Sequence, residues 1–389
     1  MNMSIELILL ALAVICLALA LHPFITYPLS LTLLKKLWPH RSKAQPARKP
    51  HIDFSICMCA YNEEGVIREK LQNLLALKQR EPGLEILIYV DAASDQTAKR
   101  LRAYAPHISF HVSTARHGKT HGMNLLASRA TGDVILFTDA NVMLDMDCLD
   151  NLRRTFEDPQ IGCVCGNLIY TNGKDSVTAS TGSLYWRLEE GVKRLEQETG
   201  SVMGADGSLF AIRRSLHRAP PDHIIDDMFV SFWVLIQGFR IVQSKDARAY
   251  EESASSSSDE FSRKSRIACQ AFNVHRLIWP HLRKMDFLTV YKYVSHKLLR
   301  WLSIYFMALG GIAFLAALTV AGYAWAAGVL VAALIVGAIL GAKYAVKPFS
   351  QIVDIVTSLA GAGLGIWKSV RGESFQTWTP VASLRKVAE

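Results

Sequence analysis

The sequence predicts an α/β domain with a mostly parallel sheet, flanked by transmembrane and interfacial helices. Three observations carry this. Short apolar runs alternate with helix-period segments between residues 53 and 139, long uncharged stretches lie near both ends, and acidic or amide-bearing turns fall just past the carboxyl ends of the predicted strands. Of 389 residues, 50% are hydrophobic and 20% charged, and the apolar ones are unevenly spread. The length available to a folded domain is therefore what remains between the membrane segments.

Leu7 to Leu34 contains no Asp, Glu, Lys or Arg, and a helix needs about 20 apolar residues to cross the hydrocarbon core. Residues 1–34 are expected as one membrane helix. A cleaved signal peptide fits less well, because Met1 to Glu6 has no basic residue and the positive charges come after the apolar run. Those charges, Lys35, Lys36, Arg41, Lys43, Arg48 and Lys49, define a basic linker over 35–50. Loops rich in Lys and Arg stay on the cytoplasmic side, so the domain that follows, 51–255, is expected inside the cell.

Within that domain, residues 53–60 read as a buried strand, and Glu64 to Leu77 as a helix with Ile67, Leu71, Leu74 and Leu75 at helical spacing. Glu85 to Val90 is a strand ending at Asp91, and a helix over Asp95 to Tyr104 takes Ser94 as candidate cap. A strand over Ile108 to Val112, a helix over Thr120 to Arg129 and a strand over Val134 to Thr138 ending at Asp139 complete the alternation. The turns at Tyr61-Asn62-Glu63, Asp91 and Asp139-Ala-Asn141 thus lie where open α/β sheets bind ligands. A single Asp after a strand is ordinarily a turn or cap residue; three such turns together point to a site.

A helix over Leu184 to Leu195, a glycine-rich loop over 200–207 and a short strand over Ser208 to Ile212 come next. Asp226-Asp227 opens a helix stopped by Gly238, and Glu251 to Ser258 reads as a polar loop. Residues 256–300 are expected as amphipathic interfacial helices, basic through Arg263, Lys264, Arg266 and Arg276. Trp301 to Ala342 carries no charge and is long enough for a transmembrane hairpin, within 301–345, joined near residues 321–325. In 346–389, the apolar stretch Phe349 to Trp367 could span, re-enter or lie in the interface. A full crossing would leave Lys368, Arg371, Arg385 and Lys386 outside, which favours the re-entrant or interfacial forms.

The net charge of +9 is accounted for by juxtamembrane basic residues that face anionic lipid. With no base-reading motif, no nucleic-acid partner is expected. The pairs Cys57/Cys59 and Cys163/Cys165 alternate as strand positions do. They read as small fillers of a buried sheet face, since a zinc site wants longer ligand spacing.

Taken in order, Ala60-Tyr-Asn-Glu63, Val90-Asp-Ala-Ala-Ser-Asp95, Gly118-Lys119 with Asn124, Thr138-Asp-Ala-Asn141, Gly204-Ala-Asp-Gly207, Ile225-Asp-Asp227 and Arg263-Lys-Ser-Arg266 resemble the motifs of membrane-bound, inverting family 2 glycosyltransferases. That group includes the cellulose, chitin, hyaluronan and poly-N-acetylglucosamine synthases. The resemblance implies a GT-A fold. It implies a nucleotide-sugar donor, UDP-linked, held by Ala60, Tyr61, Asn62, Glu63, Asp91, Lys119, Asp139, Arg263 and Arg266, and an acceptor loop at Gly204, Ala205, Asp206 and Gly207. It implies Asp227 as general base with Asp226 tuning it, and Mg²⁺ or Mn²⁺ at Asp139 and Asn141. Asn141 stands where the family often has a second Asp, which lowers the charge offered to a cation. Arg263 and Ile267 stand where the family's Gln-x-x-Arg-Trp signature has Gln and Trp, which argues against processive polymerisation. The implied partners are the donor, a lipid-linked or growing glycan acceptor, membrane lipids, and export partners or further copies of the chain. A processive synthase and a catalytically silent nucleotide-sugar-binding scaffold are the alternatives.

Overall fold

The computed structural model describes residues 2–37, 51–171, 177–252 and 257–377. Arg41, Lys43, Arg48 and Lys49 of the basic linker, residues 253–256 of the polar loop, and Arg385 and Lys386 lie outside them.

The expected single N-terminal helix is two, α1 (Asn2–Leu21) and α2 (Thr26–Leu37). The break follows His22-Pro23, where proline supplies no backbone N–H to continue the ladder. The α/β domain then runs β1 (Phe54–Ala60), α3 (Glu64–Arg80), β2 (Glu85–Val90), α4 (Thr97–Arg102), β3 (Ser109–Val112), α5 (Lys119–Arg129), β4 (Val134–Asp139), β5 (Met143–Leu144), α6 (Cys148–Phe156), β6 (Ile161–Tyr170), α7 (Val177–Glu198), β7 (Leu209–Arg213), α8 (Asp226–Ile236) and β8 (Arg240–Glu251). After it come α9 (Ser257–Leu282), α10 (Phe287–Tyr293), a π-helical turn over Val294–Leu298, α11 (Leu299–Val320), α12 (Ala324–Ala342) and α13 (Phe349–Val370).

One eight-stranded sheet has the order β3-β2-β1-β4-β7-β6-β8-β5. It is mixed: β1, β2, β3 and β4 are parallel, but β7 runs antiparallel between β4 and β6, and β5 is antiparallel to β8. The reversal has a local cause. The chain enters β7 from the 200–207 loop, with Leu209 registered against Thr138, so the strand starts at the end of the sheet where β4 stops. That places the glycine-rich loop beside Asp139.

The strand alternation sorts side chains cleanly to two faces. Ile56 and Met58 of β1 join Ile67, Leu71, Leu74 and Leu77 of α3 and Leu149 and Leu152 of α6 in one core. Cys57 and Cys59 face the other way, with Cys163, Cys165, Met123, Phe229, Phe232, Val274 and Ile278 in the second. All four are buried thiols in sheet packing. Fully burying each large aliphatic or aromatic side chain in these layers contributes roughly 1.5–3 kcal/mol.

Among the described residues, four helical stretches are long and apolar enough to cross a membrane: Ser4–Leu21, Phe287–Val320, Ala324–Ala342 and Phe349–Val370. α1 packs on α11 through small residues, Ala13, Cys16 and Ala20 meeting Gly310, Ala313 and Ala317, which lets two helices approach without a hydrophobic driving force. α9 is covered on two sides, its Val274 and Ile278 by the domain and its Ser265 to Cys269 turn by α13, where a side chain on Gly365 would strike the Ser265 carbonyl. Past α13 the chain returns to the domain: the Gln270 amide donates to the Phe375 carbonyl at 2.8 Å, and the Gln376 amide to the His117 carbonyl at 3.0 Å.

A buried polar network joins the domain to α2 and to the α10–α11 stretch. The His296 ring nitrogens face Glu196 at 2.6 Å and Glu189 at 2.9 Å. Tyr27 donates to Glu196 at 2.6 Å, Lys292 donates to the Glu196 and Thr199 carbonyls, and Arg300 pairs with Glu189. Burial alone would raise the Glu189 carboxyl, but Arg300 and His296 hold it well below the usual range.

Candidate active site

The β1 and β2 ends interlock. Asn62 adopts φ +53° and its Oδ1 accepts from the Ser94 backbone N–H at 2.9 Å. Glu63 is buried, and its N–H donates to Thr97 Oγ1 at 2.9 Å. Ser94 is therefore not the cap of α4; Asp95, whose two oxygens accept from Thr97 N and Glu64 N, is the polar residue that ties that helix start down. The Ala60 carbonyl accepts from Asp91 N. Asp91 is fully enclosed and accepts from His117 N at 2.7 Å, Gly118 N at 3.0 Å and Arg116 Nε at 3.0 Å. In this conformation it shapes the 116–118 turn, while the Arg116 guanidinium lies 3.3 Å from the centre of the Tyr61 ring.

The strand-end and loop residues converge around Lys119. Its Nζ donates to Asp139 Oδ1 at 2.7 Å. Burial opposes the charge, but Asp139 and Asp226 outweigh it and hold the ammonium pKa above its ordinary value. α5 is pinned over the approach to α8, with Thr120 donating to the Ile224 carbonyl at 2.7 Å and Asn124 to the Pro220 carbonyl at 2.8 Å. This sets Asp226 and Asp227 in the first turn of α8. A Cβ on Gly207 would stand 2.8 Å from Asp227 Oδ2 and 3.5 Å from Lys119 Nζ, so only glycine lets the loop lie against this carboxylate. Upstream, Gly204 packs on Phe232, Ala205 N donates to Ser231 Oγ at 3.0 Å, and Asp206 pairs with the buried Lys193.

Burial and the neighbouring Asp226 push the Asp227 carboxyl up to about 7, against the pull of Lys119. Asp226 is buried and its Oδ2 has no hydrogen-bond partner among the described residues. On α9, burial and Arg263 lower the Arg266 pKa while Asp139 and Asp227 raise it, so the arginines of this helix share the field of the same site.

Around Asp139 the structure adds residues that no sequence pattern singled out. Lys70 of α3 is fully buried; it donates to the Val142 carbonyl and, at 3.4 Å, to Thr138 Oγ1, which holds the 138–142 turn from behind. Burial brings its pKa down to about 7. Asn141 Nδ2 donates to Glu251 Oε1 at 2.9 Å, and burial together with Asp139 pushes Glu251 up to about 7. No periodicity marks Lys70, which sits beside the apolar stripe like a solvated lysine. Arg116 and Glu251 had one signal each, a basic run before Gly118-Lys119 and an acidic pair at a strand end.

Among the described residues no group of three or more His, Cys, Asp or Glu is arranged to hold a metal ion. The donor chemistry of the 139–141 turn nonetheless suits a hard cation. Asp139 is one-third exposed and already faces an ammonium, and Asn141, its amide nitrogen turned to Glu251, is left with its oxygen to offer.

If Asp227 must be ionised to act, kcat/KM should rise through about pH 7 in a profile taken from about pH 5 to 9. The carboxylate pKa is raised, so the active form is lost below that value. Glu251→Gln should retain this limb and the residual rate of Asp227→Asn should lack it; the converse would assign the limb to Glu251.

Residues 55–219 match the family model described as Glycosyl transferase family 2. An N-acetylglucosaminyltransferase of Rhizobium meliloti is 25% identical over 225 residues, 52% of this chain and 52% of that protein. A hyaluronan synthase of Streptococcus pyogenes is 27% identical over 180 residues, 43% of this chain and 42% of that protein. The chain thus spans about half the length of the curated relatives it matches. Among solved structures, a mannosyltransferase from Pyrobaculum calidifontis in complex with GDP-Man and Mn²⁺ superposes with a TM-score of 0.69 at 20% identity, over 94% of this chain and 99% of that one. Over residues 55–219 the chain carries a family 2 glycosyltransferase domain on a GT-A fold.

Proposed function

We propose that the protein transfers a sugar, with inversion, from a nucleotide diphospho-sugar, UDP-linked, to a lipid-linked or glycan acceptor at the cytoplasmic face of a membrane. The observation that carries this reading is the meeting of Lys119, Asp139, Asp227 and Gly207 at the carboxyl end of β4. Asp227 takes the acceptor hydroxyl proton as that oxygen bonds to the anomeric carbon and the bond from carbon to phosphate oxygen breaks. The nucleoside diphosphate leaves with the bonding electrons, against the positive charge of Lys119, Arg263 and Arg266. Asp139 and Asn141 would hold Mg²⁺ or Mn²⁺, which supplies neutralisation of the diphosphate charge. Tyr61, Asn62 and Arg116 edge the space for base and ribose, and the 204–207 loop walls the acceptor side.

The basic residues after α2 and before α11 support a cytoplasmic domain. α13 runs along α9 and the chain then returns to His117, which supports an interfacial α13. Ile267 in place of Trp supports one or a few transfers per acceptor.

The test is the full chain in lipid with a panel of UDP- and GDP-sugars and a lipid-linked acceptor, following nucleotide release and product mass. One or a few added sugars are expected. A ladder reaching long polymer would make the protein a processive synthase, and no turnover with any donor that binds would make it a scaffold.

A further inference from the structure

Glu251 is the last residue of β8 and is fixed there by main chain: Tyr250 is registered against Met143 of β5, and the Glu251 carbonyl accepts from Thr171 N at 3.0 Å. Its side chain reaches back over the 139–141 turn. Oε1 accepts from Asn141 Nδ2 at 2.9 Å, and Oε2 accepts from Ser208 Oγ, next to Gly207, at 3.4 Å. The carboxyl oxygen takes the NH₂ side of the Asn141 amide, which leaves the amide carbonyl oxygen directed away from Glu251. Hard divalent cations take oxygen and not amide nitrogen. Asp139 and Arg263 are the charged groups felt at this position.

We propose that Glu251 is a positioning residue for the 139–141 turn: it fixes the Asn141 amide with its oxygen available to a divalent cation, and it brings a second carboxyl group to a turn in which position 141 is an amide. The assignment rests on the reading of Asp139 and Asn141 as the cation-binding pair. Two carboxylates then serve the turn, one within it and one from the end of β8. Ser208 extends the same carboxylate to the loop beside Asp227, so the donor and acceptor halves of the site share one anchor.

The experiment titrates Mn²⁺, alone and with UDP, into the full chain in detergent, reading the free-ion signal by electron paramagnetic resonance. Glu251→Gln should weaken Mn²⁺ binding about tenfold or more, the range for loss of a group that orients a ligand. The double variant Asn141→Asp with Glu251→Gln moves the carboxylate into the turn and should recover most of the loss, which a purely structural role for Glu251 would not allow. Unchanged binding in Glu251→Gln, or a folded double variant binding no better than Glu251→Gln, overturns the proposal. If Asp139→Ala also leaves Mn²⁺ binding untouched, or wild type binds none, the cation reading itself fails and the Glu251 assignment goes with it.

Discussion

Asp227→Asn is expected to slow the transfer step by on the order of 10²- to 10⁴-fold while leaving nucleotide-sugar affinity nearly unchanged. The substitution preserves shape and can still engage the Met228 N–H that Asp227 accepts at 2.6 Å. What it removes is the capacity to take a proton. The geometry of Asp227 suits proton transfer, because its carboxylate stands at the mouth of the Gly207 loop with a pKa drawn up to about 7 by burial and Asp226. Asp226→Asn should be milder, because it removes a charge that tunes its neighbour and no reacting group. Calorimetry for donor binding and product formation at saturating donor separate the two effects. Normal turnover in Asp227→Asn, or donor binding lost as completely as turnover, would leave the pair as helix-dipole residues of α8.

Asp139→Ala should abolish cation-dependent turnover, by roughly 10²- to 10³-fold, since charge stabilisation at a transferring phosphate is worth several kcal/mol and each 1.4 kcal/mol is a factor of ten. The variant also strips the partner 2.7 Å from Lys119 and leaves that partly buried ammonium to Asp226 and Asp227. Asp139→Asn, which keeps a hydrogen-bond acceptor for Lys119, distinguishes the two losses: it should fold like wild type in a thermal melt and still fail to respond to Mg²⁺ or Mn²⁺. Full activity of wild type in excess chelator would refute the cation assignment.

The parts of this fold that the sequence disclosed are those with a strict local period. β1 to β4 and the helices between them show as apolar runs and stripes, and the turns after them inherit their positions from the strand ends. The direction of β7 does not show in this way, because a run such as Leu209 to Ile212 packs identically whichever way it enters the sheet. Asp91 shows the same limit at the level of a role. Its place after β2 is plain in the sequence, but its enclosure by the 116–118 backbone comes from a turn 25 residues later. Lys70 and Glu251 meet the Asp139 turn from α3 and β8, distances along the chain that no window of residues spans. Pro23 did carry a warning of the α1–α2 break, outweighed by the unbroken apolar run around it.

The carboxylate of Glu196 touches α2 through Tyr27 and the π-helical turn before α11 through His296, and its other oxygen accepts from Met203 N at 3.0 Å, inside the glycine-rich loop. A domain on a flexible tether would sample many heights above a lipid surface. This one is bolted, with Met203 of the loop fastened to the same carboxylate as α2 and the turn before α11. In the proposed orientation the protein would act as a caliper, and the span from bilayer to Asp227 would set how far the reacting end of an acceptor must stand off its anchor.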